Sequence, residues 1–123
     1  MPHVVLDGVV DVEVLLEHMP REVRKWRAAV LKTEQLWCRA DGRAVLVEGV
    51  VVEHSRPLHP IALVAEYRGD TRVSLWPYAP VERTSAVQRW LATVASDVRH
   101  LSGGSLRTTN IARSLVEGLG LSS

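Results

Sequence analysis

The sequence has a single cysteine, Cys38, in 123 residues, which excludes an intramolecular disulfide and an all-cysteine metal site. That usage fits a reducing compartment, so the cytoplasm is the expected location. Neither sign of charge is in real excess: 15 Lys and Arg stand against 14 Asp and Glu, a formal net charge of +1. A chain that neutralised many phosphates would be more basic, so the balance weighs against a nucleic-acid partner. It also offers little electrostatic resistance to self-association. No apolar run approaches the roughly 20 residues of a membrane span, and the run at 4–6 is too short, and lacks the basic start, for a signal peptide. A glycine-rich phosphate loop, a His-Glu-x-x-His helix, a paired-cysteine zinc motif, a calcium loop and a nucleophile elbow are all missing. No cofactor and no metal site are expected.

What remains is a composition of 46% apolar and 24% charged residues, enough for one folded core and too little chain for two. Residues 1–123 are expected as a single soluble α+β domain, with 102–123 as a loosely packed tail carrying a short helix. Residues 3–6 read as a strand. Val12, Leu15, Leu16 and Met19 then fall at helical spacing behind Asp11, a suitable N-cap. Residues 20–32 read as a second helix: Pro20 suits a first turn, Val23, Trp26, Val30 and Leu31 make an apolar stripe, and the polar side is basic. Such a basic amphipathic helix suits RNA, membrane phosphate or an acidic partner.

A four-strand antiparallel meander follows, over 33–39, 44–53, 61–67 and 71–76, with turns at Asp41-Gly42 and Arg68-Gly69-Asp70. Residues 55–60 read as a loop fixed by two prolines. The strand 44–53 is apolar on both faces, Val45, Val47 and Val51 on one and Leu46, Val50 and Val52 on the other, which requires cover on both sides. Gly49 in its middle implies a bulge or a close neighbour. A long helix over 83–101 carries the stripe Val87, Trp90, Leu91, Val94, Val98 and Leu101, with Thr84 as its cap. Thr109 or Asn110 would cap the last short helix. The expected architecture is thus this meander with an added N-terminal strand, two N-terminal helices and a long C-terminal helix packed on the sheet.

Candidate chemistry concentrates at a strand end. Glu53, His54, Arg56 and His59 could supply two imidazoles for proton transfer, a guanidinium for a carboxylate, and an acid to orient one ring. Alternation along a strand sends Glu53 and His54 to opposite faces, which favours a simple polar loop. His54 and His59 with Cys38 or a carboxylate could make a zinc set, but that two-histidine spacing is common by chance and Cys38 reads as a small buried apolar residue. Trp37, Trp76 and Tyr78 could wall a ligand pocket or a dimer face, whereas Trp26 and Trp90 sit on core stripes. The tripeptide at 68–70 spells an integrin-attachment motif, but a hairpin turn favours Gly and Asp without any adhesive role.

Met1-Pro2-His3 followed by a strand resembles the start of the tautomerase superfamily. The resemblance implies a proline amine acting as base on an oligomerising β-α-β unit. It covers about five residues, and the sequence after Leu6 departs from that plan. Two functions are therefore expected from this sequence. The first is a self-associating structural or protein-interaction module, a homodimer through a sheet face or an exposed strand. The second is a small-molecule sensor or acid-base enzyme with a His- and Arg-lined pocket between sheet and helix.

Overall fold

In the computed structural model, which describes residues 1–121, eight strands form one curled, half-barrel sheet with one long helix against it. The elements are β1 (His3–Leu6), α1 (Val12–His18), β2 (Arg24–Trp26), β3 (Ala29–Cys38), β4 (Ala44–Glu53), β5 (Arg56–Leu58), β6 (Ile61–Tyr67), β7 (Asp70–Leu75), α2 (Ser85–Ser102) and β8 (Leu106–Thr109), followed by a 3-10 turn at Arg113–Leu115. The sheet order is β2-β3-β4-β6-β7-β1-β8, with β5 also paired to β4. Every pairing is antiparallel.

Two expectations of the architecture are overturned. Residues 20–32 are not a helix: Arg24–Trp26 pairs with Leu31–Ala29 as a hairpin, turning at Arg27 with φ 55°. The physical reason lies in β4. Its residues Val50, Val51 and Val52 pair with Lys32, Leu31 and Val30. A helix over 20–32 would strip those backbone groups of partners in the middle of a sheet. The apolar spacing of 23–31 serves either structure, and the pairing of 30–32 with Val50–Val52 of β4 decides between them. The second correction concerns the C-terminal segment, where 106–109 adds strand β8 beside β1. Neither Thr109 nor Asn110 caps a helix. The Thr109 hydroxyl donates to the His3 carbonyl and accepts from the Ile111 amide, and the Asn110 side chain spans the His3 amide and the Met1 carbonyl. The added N-terminal strand is present, but it lies between β7 and β8 rather than beside a four-strand meander alone.

The caps are as the sequence implies. Asp11 accepts from the amides of Glu13 and Val14 at the start of α1, and Thr84 accepts from Val87 at the start of α2. Gly103 ends α2 in the left-handed conformation, with its amide on the Arg99 carbonyl.

The core lies between α2 and the inner face of the sheet. Val45, Val47 and Val51 of β4, Val64 of β6 and Val73 of β7 are wholly buried against Val87, Leu91, Val94 and Val98 of α2. Trp90, the largest fully buried side chain, packs against the β4 backbone at Gly49, where a Cβ would overlap the indole carbons. The sheet adapts at the same place. β3 carries a bulge between Thr33 and Leu36 opposite this stretch, and the Gly49 amide turns to the Pro60 carbonyl at 2.9 Å. α1 adds Leu15 and Met19 to one end of this core, and Ile111, Leu115 and Leu121 add the chain's last turns.

Candidate functional site

The polar residues of 53–59 do not converge. They form a tight β4–β5 hairpin rather than a loop, with His54 and Ser55 at its tip in the left-handed region (φ 51° and 61°). Glu53 accepts a hydrogen bond from the Thr84 hydroxyl, and Arg56 pairs with Glu82. Both charged groups therefore fasten the hairpin to the start of α2. His54 and His59 lie exposed on opposite sides of β5, without a hydrogen bond or ion pair among the described residues. Cys38 is exposed, not buried, and no cluster of three metal-donating side chains occurs among the described residues. Asp70 of the Arg-Gly-Asp turn is occupied too: its carboxylate accepts from the Gly8 amide at 3.1 Å and pairs with Arg107 at 2.9 Å. Pro2 is buried.

The three aromatic residues do share a surface. Strand alternation sends Val45, Val47 and Val51 to α2 and leaves Leu46 and Val50 on the opposite, outer face, beside Leu63 of β6 and Trp37 of β3. Leu46, Val50 and Leu63 are half-buried on that face. Trp37 is 59% exposed and Tyr78 80% exposed. Trp37, Leu46, Leu63, Ala65 and Trp76 line a mainly apolar depression of about 250 Å³, and the Tyr78 ring meets Trp76 edge-on with centroids 5.1 Å apart. The Trp37 indole donates to Glu48, which fixes the ring on the sheet.

No family model, curated protein or solved structure matches the chain. What it can do therefore rests on its own surfaces.

A cleft of about 890 Å³ lies elsewhere, between β2, α2 and the C-terminal segment. At its floor Arg24 of β2 grips Asp97 of α2 through two hydrogen bonds of 2.9 and 3.0 Å. Asp97 is only 9% exposed. Burial pushes its carboxyl above the usual range, against the pull of the Arg24 bonds, while the hydrogen bond to Asp97 raises the Arg24 guanidinium. The α2 residues on this wall, Arg89, Thr93, Ser96, Asp97 and His100, recur every three to four positions. They form a polar stripe beside the apolar one. That spacing was visible in the sequence, but its partner was not, because Arg24 reaches Asp97 only when 24–26 is a strand. Arg89 and Ser96 hold the C-terminal segment along α2 by donating to the carbonyls of Leu115, Glu117 and Leu119.

Proposed function

We propose that this chain is a protein-interaction module that forms a homodimer through the outer face of its sheet. The observation that carries this reading is the apolar outer surface around the exposed Trp37 and the half-buried Leu46, Leu63 and Trp76, opposite the face that packs against α2. Large exposed apolar patches on small domains mark contact surfaces. Stacking two such sheets face to face would bury these side chains in a layer about 10 Å thick.

A second copy fits this surface for two reasons on the surface itself. Its rim carries both signs of charge, with Lys32 and Glu34 of β3 3.6 Å apart and Glu48 next to Trp37. A two-fold contact can set the acid of one copy against the base of the other. The net charge of +1 leaves little repulsion between copies. Edge pairing is the weaker route, because the terminal strands β2 and β8 have only 3 and 4 residues.

Light scattering coupled to size exclusion tests the reading over a concentration series. The expected mass is twice 13.7 kDa at micromolar concentration. Leu63→Asp, which places a charge in the centre of the face, should shift the equilibrium to monomer by about 100-fold or more in the dissociation constant. A single 13.7 kDa species at all concentrations in the unaltered protein would reject it.

A further inference from the structure

Strand β3 is longer than the neighbour on its outer edge. β2 pairs only with Ala29–Leu31. The chain before it, at Pro20 and Glu22, shares a small recess with Leu31, Lys32 and Thr33. From the bulge between Thr33 and Leu36 to the end of β3 at Cys38, no strand of the described chain lies on that edge. Gln35, Trp37 and Cys38 are exposed there, and Leu36 is half-buried. Natural sheets guard their edges with short strands, charges, proline or bulges. β2 and β8 are short and carry Arg24, Lys25 and Arg107. The stretch 36–38 reads Leu-Trp-Cys, with neither charge nor proline.

The ladder fixes which backbone groups are free on this edge. The Arg39 amide donates to the Ala44 carbonyl at 2.9 Å, and Cys38, Trp37 and Leu36 oppose Val45, Leu46 and Val47 in turn. Bonded and non-bonded pairs alternate along an antiparallel ladder. Arg39 and Trp37 therefore exchange bonds with β4, whereas the N–H and C=O of Leu36 and Cys38 point away from it. No hydrogen bond reaches those groups among the described residues.

We propose that the β3 edge at Leu36–Cys38 takes up an extended segment of a partner protein as an added antiparallel strand. Main-chain bonds to Leu36 and Cys38 supply the pairing, and side chains of the segment supply selectivity. The segment residue opposite Trp37 sets its side chain on the outer face beside the indole, so an apolar residue suits that position. Its two neighbours face the inner side, next to Leu36 and Cys38, and each must keep an amide hydrogen, which excludes proline. A second copy of the chain fits this edge less well. Centring two β3 strands on Trp37 sets Thr33 of one opposite Asp41 of the other, where the chain at Pro20 and Glu22 already lies. A short free segment meets no such obstacle. This pairing is also separate from the outer-face dimer, which stacks side chains and uses no backbone group of β3.

The probe is the peptide acetyl-Lys-Val-Thr-Ile-Thr-Val-Lys-amide, with isoleucine for the position opposite Trp37, and the readout is amide hydrogen exchange by NMR. In the free protein the Leu36 and Cys38 amides should exchange faster than that of Trp37, which is bonded to β4. With the peptide at about ten times its dissociation constant, both should slow about tenfold. Methylating the two threonine nitrogens of the peptide removes the pairing donors and should weaken binding about tenfold. Exchange as slow at Leu36 and Cys38 as at Trp37 in dilute free protein would overturn the proposal, because the edge would then be covered. Equal binding of the methylated peptide, or no slowing at these two amides, would overturn it as well. Slowing at both amides with rising protein concentration and no peptide would give the edge to a second copy instead. A chain that is monomeric by light scattering and still pairs with the peptide removes only the outer-face dimer.

Discussion

Replacing Gly49 by alanine tests the packing on which the whole inner face depends. In an ordinary strand this change stabilises by about 0.5–1 kcal/mol, because alanine loses less backbone entropy on folding. Here the new Cβ would fall within the indole of Trp90, the largest wholly buried side chain. Relief requires the ring to lift from β4, yet the ring is enclosed by the sheet and by its own helix. Overpacking of this kind costs about 1–3 kcal/mol. The clash outweighs the entropic gain, and the net loss is about 1–2 kcal/mol, or a fall in Tm of about 3–8 °C for a domain of this size. Chemical denaturation followed by circular dichroism reads it directly. The same substitution in a Trp90→Leu background should be neutral or slightly stabilising, because the overlapping ring is gone. The coupling between the two sites should therefore be at least about 1 kcal/mol. Gly49→Ala matching or exceeding the stability of the unaltered protein would refute the argument.

Two further outcomes follow from local geometry. Ser55→Gly should stabilise the β4–β5 hairpin by about 0.5–1 kcal/mol, because Ser55 holds φ at 61° where glycine has no steric penalty; a lower denaturation midpoint would contradict this. The folded protein holds the Asp97 carboxyl above its ordinary range, mainly through burial. Its contribution to stability is therefore full below the unfolded pKa near about 4 and declines as pH rises through the elevated folded value. Stability relative to Asp97→Asn should fall across that window, and a rise would mean that the Arg24 bonds dominate.

The strands over 44–53 and 61–67 stand where alternation and bounding turns place them, and the caps at Asp11 and Thr84 follow from local chemistry. Gly49 announced a close neighbour, although nothing in the sequence linked it to Trp90, 41 positions on in the chain. The stretch 20–32 reads wrongly because its apolar residues fit a helical stripe as well as a hairpin. Its true state is chosen by strand pairing: 30–32 pair with β4, and 24–26 fold back onto 29–31. His54 and His59 are near in sequence but stand at the two ends of the short strand β5. Arg24 and Asp97 show the reverse: 73 residues apart, they meet through two hydrogen bonds.

By itself the sequence determined the elements whose signals are local: the long amphipathic helix, its caps, the turns, and a strand apolar on both faces. Only the tertiary structure decided which face of that strand α2 fills and which face stays open, because covering one sheet face depends on the path of the whole chain. It also decided that 24–26 joins the sheet as its edge, and so which charges line the cleft. Backbone pairing and burial are satisfied across long stretches of chain, and no window of neighbouring residues carries that information.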